Sequence, residues 1–304
     1  MLFESGALVS RKSSVQASVR QSKSSALNHG SALSSLGGAP ERDTLFRMTA
    51  IKGARERARG EITAAIKDEA RQQLAAEGAA KLSLRAVARE LGMVSSALYR
   101  YFPSRDDLLT ALILDAYNAL GQAAETALAA VDTQAGTGRE RGSGGRGGGG
   151  SAAAGAPPAA RWSAVCHAVR EWALAHPHEY ALLYGSPVPG YHAPDATAEP
   201  AGRVARALLE VVRDAYAAGT LREPADPLPD AVVGNMLALA AELDVELPAA
   251  VTTRLVSAWA QLFGLVGFET FGQFNRVIDA REEFFEQSAL QLARSVGLPV
   301  PTTR

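Results

Sequence analysis

The sequence predicts an all-α protein, a small N-terminal bundle followed by a larger helical domain, and three observations carry that prediction. Apolar residues recur at three- and four-residue spacing in one segment after another. Glycine and proline punctuate the intervals, as at Gly78, Gly92, Pro103 and Pro177. No stretch alternates apolar and polar residues for long enough to make a defensible strand.

Composition narrows the class. The chain has 304 residues, 47% hydrophobic and 21% charged, the balance of a soluble globular protein with one or two domains. A single cysteine, Cys166, excludes an internal disulfide and leaves no set of thiolates for a structural metal. The longest uncharged, mostly apolar run, residues 255–268, is shorter than the about 20 residues a membrane span needs, so it reads as a core helix and no membrane contact is expected. Charge is unevenly placed. Residues 1–109 carry 17 Lys/Arg against 11 Asp/Glu, whereas residues 151–304 carry 11 against 17. A basic front suits a polyanion, and an acidic back does something else.

Residues 1–47 are expected to be a disordered leader. Their first 40 residues hold 11 serines, four basic residues (Arg11, Lys12, Arg20, Lys23) and one acid, Glu4, with no sustained apolar period. An organellar transit peptide has a similar composition, but this segment lacks a strong amphipathic face. Sequence upstream of a start at Met48 is the other reading. With no secretory h-region, the expected location is cytoplasmic.

The first helix is expected from Gly60, where Ile62, Ile66, Ala70 and Leu74 form a stripe that Gly78 ends. Ser83 is a good N-cap for a second, short helix with Leu84, Val87, Ala88 and Leu91 on one face, and Gly92 breaks it. A third follows from Ser95 to Phe102, stopped by Pro103. These three make up a predicted domain of residues 48–104. A connecting helix over 105–132 buries Leu108, Leu109, Leu112, Ile113, Ala116 and Leu120. Residues 133–160, with GSGGRGGGG inside them, read as a flexible linker; no GK[ST] closes that glycine run, which argues against a phosphate loop. The remaining domain, 161–304, is expected to hold helices over 161–175, 177–185, 200–219, 227–243, 248–271 and 277–296.

Two short helices joined at a glycine, in a basic segment, have the geometry that lets the second enter a major groove about 12 Å wide. Four-residue spacing places Val94, Leu98 and Phe102 toward the bundle core and leaves Ser95, Ser96, Tyr99 and Arg100 outward. Arg100 suits a guanine edge, a phosphate or a solvated face; Tyr99 and Tyr101 suit phosphate bonding or helix-end packing. Lys52, Arg55, Arg57 and Arg59 precede the expected first helix as a basic arm, suited to phosphates or a minor groove or else simply solvated.

The string LSLRAVARELGMVSSALYRYFPSRDDLL, residues 82–109, resembles the TetR family of transcriptional regulators. Leu98, Tyr99 and Phe102 stand where that family has its LY and F. Tyr101 takes the place of its usual His and Arg105 that of its usual Lys, while Val94 and Ser96 replace a common Ser and Gly. The resemblance implies a repressor that binds a palindromic operator in double-stranded DNA as a homodimer and responds to a small-molecule effector. The expected DNA-contacting set is Arg55, Ser83, Arg85, Ser95, Ser96, Ala97, Tyr99, Arg100, Tyr101 and Arg105, with Arg105 on a phosphate.

In the C-terminal half, Trp172, His176, Tyr180 and Tyr184 recur at four-residue spacing, interrupted by Pro177. Such a stripe is either core or the lining of a pocket for a small, largely apolar effector. The stretch REWALAHPHEY also resembles the C-terminal domain of one TetR subgroup. The last two helices carry the apolar faces Val251, Leu255, Trp259, Leu262, Val266 and Phe285, Ala289, Leu292, Val296, where the family pairs its final helices in a dimer; Leu255, Trp259, Leu262, Val266, Phe285, Ala289 and Leu292 are the expected dimerisation residues. His167, His176, His178, His192 and Cys166 show no convincing metal spacing, and no cofactor, metal or catalysis is expected. A regulator controlled by a protein partner, and a helical metal-binding or enzymatic protein, are the competing readings.

Overall fold

The computed structural model describes residues 41–142 and 155–301, with side chains described over 53–137 and 155–301. Helices account for the regular structure, and no strand occurs among the described residues. The described residues form eleven α-helices, in order α1 Glu41–Glu77, α2 Leu84–Glu90, α3 Ser95–Leu98, α4 Arg105–Gly142, α5 Pro158–Ala175, α6 Pro177–Tyr184, α7 Ala198–Ala201, α8 Arg203–Ala217, α9 Asp230–Glu242, α10 Ala249–Thr270 and α11 Arg281–Val296.

The N-terminal core consists of Ile66, Ala70 and Leu74 from α1, Leu84, Val87 and Ala88 from α2, Leu98 and Phe102, with Leu108, Leu109 and Leu112 from α4 closing it. The first two turns of α4 therefore complete this bundle. Ile113, Ala116, Leu120, Ala124 and Leu128 of the same helix enter the second core, with Trp162 and Val169 of α5, Leu208 and Val212 of α8, Leu262 and Val266 of α10, and Phe285 of α11. One continuous helix thus links the two cores. Gly121 lets α8 approach it closely: a Cβ there would lie 2.6 Å from that of Arg203, whose guanidinium reaches Glu125 at 2.6 and 2.8 Å.

Several boundaries differ from expectation for identifiable reasons. α1 begins at Glu41, well before Gly60, because the segment is rich in Ala, Arg and Glu and holds no proline, so helix propensity carries it back through the expected basic arm. Residues 41–47 are therefore helical; residues 1–40 lie outside the described part of the chain. α4 runs to Gly142, ten residues into the expected linker, of which residues 143–154 lie outside the described part. The helix expected over 200–219 is split at Gly202 into α7 and α8. α3 is a single turn, and the chain passes through a hydrogen-bonded turn before Phe102.

Candidate nucleic-acid interface

The interface is built from the turn between α2 and α3. Ser83 caps α2, its Oγ accepting from the Ala86 N–H at 3.4 Å. Gly92 takes φ +64°, a left-handed value that glycine adopts freely, and Met93 N–H returns to Ala88 O at 2.8 Å, so the chain reverses tightly into α3. Buried Leu98 and Phe102 seat α3 on the bundle. Ser96 on its outward side and Tyr99 and Arg100 in the turn that follows are all exposed, with Ser95 and Ala97 half-buried at its edges.

Val94 is the departure from expectation. It is 69% exposed and joins neither hydrophobic core. The reason is its backbone: with φ −69° and ψ 137° it is the extended N-cap of α3, so helical four-residue spacing does not apply to it.

Arg105, expected on a phosphate, is held within the bundle in this structure. Its guanidinium donates to Ala79 O at 2.8 Å, Ala80 O at 3.2 Å and Leu82 O at 3.2 Å, clasping the 3-10 turn Ala79–Lys81 to the start of α4. Tyr101 is half-buried against the N-terminal core, with the Arg59 guanidinium 5.3 Å over its ring, and Arg59 also donates to Arg100 O at 3.4 Å. The basic arm is thus part of a helix braced against the recognition turn. Arg55, Arg85 and Arg100 are exposed on this end, while Ser83 is committed to its cap.

The bundle is tied to the C-terminal domain by charge. Arg71 of α1 reaches Glu179 of α6 at 3.0 Å, Asp115 of α4 at 2.9 Å and Asp68 of its own helix at 2.7 Å, and Lys67 joins Asp115 at 2.7 Å. Tyr191 supports the same junction through a 2.9 Å bond between its hydroxyl and that of Thr110. No simple period marks this latch, because its members come from three separate helices.

The aromatic stripe is mostly core. Trp172 is buried and stacks on His176 at 5.0 Å, while His176 Nδ1 lies 2.9 Å from Trp172 O. Tyr180 is fully buried and donates its hydroxyl to Phe263 O at 2.9 Å; Tyr184 packs on Phe263 at 4.4 Å and Tyr117 at 6.2 Å. Burial pushes the Tyr180 and Tyr184 phenols well up. The four side chains do not line one cavity together: Trp172, Tyr180 and Tyr184 pack into the C-terminal core, whereas His176 is exposed at its edge. Nearby is a cleft of about 420 Å³ between the two domains, with Leu74, Ala79 and Ala80 on one wall and His178, Leu182 and Phe271 on the other.

The expected dimerisation residues are also largely internal. Leu255, Leu262, Val266, Phe285, Ala289 and Leu292 are buried in the protomer, where Trp162 Nε1 donates to Ala289 O at 3.1 Å; Trp259 is half-buried. α10 and α11 turn their strongest apolar faces onto α5, and a four-residue stripe alone does not say which neighbour covers it. The exposed side of α10 carries Val256, Ala260, Gly264 and Phe268, and α9 buries only Ala240 although Asp230, Asn235 and Glu242 are its only polar residues. By length and hydropathy α10 is long and apolar enough to cross a membrane, yet its buried face is integral to the core and its Glu269 is bound bidentately by Arg170 at 2.7 Å. Cys166 is fully buried; burial and the nearby Glu286 push its thiol well up.

A short helix presented on a basic three-helix bundle and rooted in a larger helical domain defines a helix-turn-helix regulator. Residues 66–112 match the family model of bacterial regulatory proteins of the tetR family, and residues 162–292 match that of the tetracyclin repressor-like C-terminal domain. Over 227 residues the chain is 40% identical to the HTH-type transcriptional regulators Rv1816 of Mycobacterium tuberculosis and Mb1846 of Mycobacterium bovis, covering 73% of this chain and 86% of each of those. The solved structure of SCO4313 superposes with TM-score 0.56 at 33% identity, covering 78% of this chain and 97% of that one. A Rhodococcus sp. RHA1 protein of unknown function shares the fold, with TM-score 0.54 at 21% identity over 77% of this chain and 95% of its own. The chain belongs to the TetR family of transcriptional regulators.

Proposed function

We propose that this protein is a one-component repressor that acts in the cytoplasm as a homodimer on a palindromic operator and is released by a small, neutral, largely apolar effector. The observation that carries the reading is the exposed set at α3 and its flanks, Val94, Ser96, Tyr99 and Arg100, standing on a basic bundle that Arg71 latches to the domain behind it. Two copies related by a twofold axis would offer two such helices to half-sites about 34 Å apart. The uncovered apolar faces of α9 and α10, with Leu237, Val256, Ala260 and Phe268, are the surfaces we assign to the partner copy.

For the effector, the interdomain cleft is a better candidate than the filled aromatic stripe. Its lining includes no Asp, Glu, Lys or Arg, which favours a neutral ligand; Phe271 offers an aromatic face and His178 a hydrogen bond. One wall is the turn that Arg105 clasps and that leads directly into the Ser83 cap of α2. A ligand wedged there would favour a different angle between the domains, and hence a different spacing of the recognition helices.

The test measures mass and operator occupancy together. Light scattering should give twice the 31.8 kDa chain mass, and Phe268→Glu should halve it. A panel of neutral aromatic compounds should release the operator from wild type but not from Ala181→Phe, since Ala181 of α6 also lines the cleft and the larger ring would fill it. A monomeric wild type overturns the dimer, and an undiminished response in Ala181→Phe overturns the cleft.

A further inference from the structure

We infer that Val94 reads sequence, its methyl groups meeting the 5-methyl of a thymine in the major groove. The inference rests on the DNA-binding reading above and adds to it a base and a residue. Three observations single out Val94. It is 69% exposed, and among the described residues the exposed large hydrophobics of the N-terminal bundle are Val94 and Tyr99, both at α3. It is the N-cap of α3, yet a valine supplies no side-chain acceptor and no capping bond forms, whereas α2 is capped by Ser83. It also contributes to neither core.

Val94 therefore neither packs nor caps, and both omissions weigh against the fold. An N-cap without an acceptor leaves amide donors of the first turn unmet by a side chain, and an exposed valine keeps apolar surface in water. The position compensates if that surface is dried on binding. In a helix-turn-helix the N-terminal end of the second helix meets the base edges, and the apolar feature displayed there is the thymine methyl group. The neighbouring exposed groups, the Ser96 hydroxyl and the Arg100 guanidinium, suit hydrogen-bonding edges, so the valine complements them.

Uracil in place of thymine removes that one methyl and leaves the pairing edges intact, which makes it the direct probe. The full-length protein would first select a duplex from random double-stranded DNA; each thymine of the selected sequence would then be replaced by uracil in turn. Wild type should lose about threefold to fivefold in affinity at one thymine of each half-site, the worth of one buried methyl-sized contact. Val94→Ile, which keeps the apolar contact, should retain that sensitivity. Val94→Ser supplies a capping hydroxyl, should fold at least as well, and should bind thymine and uracil duplexes alike. A flat uracil profile in wild type, or an identical profile in Val94→Ser, overturns the inference alone. If no sequence is enriched and random duplex is not bound, the DNA-binding reading fails and takes this inference with it.

Discussion

The two hydrophobic cores differ in how completely their own chain covers them. The N-terminal core is closed by three helices and the first turns of α4, and the large apolar side chains it leaves in water, Val94 and Tyr99, stand at the recognition helix. The C-terminal core is larger and contains Trp162, Tyr180 and Phe285, yet Leu237, Val256, Phe268 and Phe284 are exposed at its periphery. A domain whose apolar surface is gathered at one short helix is complete except for its ligand. A domain whose apolar surface extends over whole helix faces is complete only against another protein surface. The first pattern fits DNA, and the second is the surface assigned above to the proposed partner copy.

The largest effect that would break this comparison is expected inside the C-terminal core. Trp162 is fully buried and its indole N–H is bonded to Ala289 O, so Trp162→Ala should destabilise that domain by about 3–5 kcal/mol. Chemical denaturation followed by circular dichroism measures it. If the loss is under about 1 kcal/mol, α5 is not the centre of the domain and the account of the second core is wrong.

The sequence made the N-terminal bundle legible because local rules govern it. Ser83, Gly92 and Pro103 act through their own backbone neighbourhood, and the stripe of Ile66, Ala70 and Leu74 has one core to face. Local rules failed at Val94, where four-residue spacing was extended one residue past the start of the helix. They failed again on α10 and α11, where periodicity found apolar faces at Leu262, Val266 and Phe285 but not which neighbour covers them. The Arg71 latch and the interdomain cleft were invisible for a further reason: their residues are brought together by tertiary structure across more than a hundred positions of sequence, as in the Arg71–Glu179 pair. Arg105 shows a further limit of local reading, a basic residue whose intramolecular partners, the carbonyls of the turn before α2, no sequence period reveals.

An intermediate effect should appear at the junction of the two regions. Arg71 holds Glu179 and Asp115 with its side chain only 31% exposed, so Arg71→Ala should cost about 1.5–3 kcal/mol, the range for hydrogen bonds to charged groups. It should also uncouple the domains. All three tryptophans, Trp162, Trp172 and Trp259, lie in the C-terminal half, so fluorescence follows that half alone whereas circular dichroism follows both. In wild type the two thermal transitions should coincide, and in Arg71→Ala the dichroism transition should begin at lower temperature. Coincident transitions in the variant would mean that the continuous α4 helix couples the domains without the latch.

The smallest of the three effects separates structure from DNA contact at Arg105. Because its guanidinium is held by the carbonyls of Ala79, Ala80 and Leu82, Arg105→Ala should unclasp the turn before α2 and lower the stability of the N-terminal bundle by about 1–2 kcal/mol. Operator affinity should fall only to the extent that the bundle is loosened. A lysine or arginine that neutralises a phosphate releases counterions, so losing such a contact lowers the slope of log affinity against log salt by about 0.9. An inward-turned Arg105 releases none, and the slope should be unchanged. Arg100→Ala makes the control, since Arg100 is exposed beside the recognition turn and its loss should alter either the slope or the discrimination at one base position. If Arg105→Ala shifts the slope while stability stays at wild type, the guanidinium leaves its carbonyls to meet DNA, and the closed N-terminal core supplies one more contact than its free structure displays.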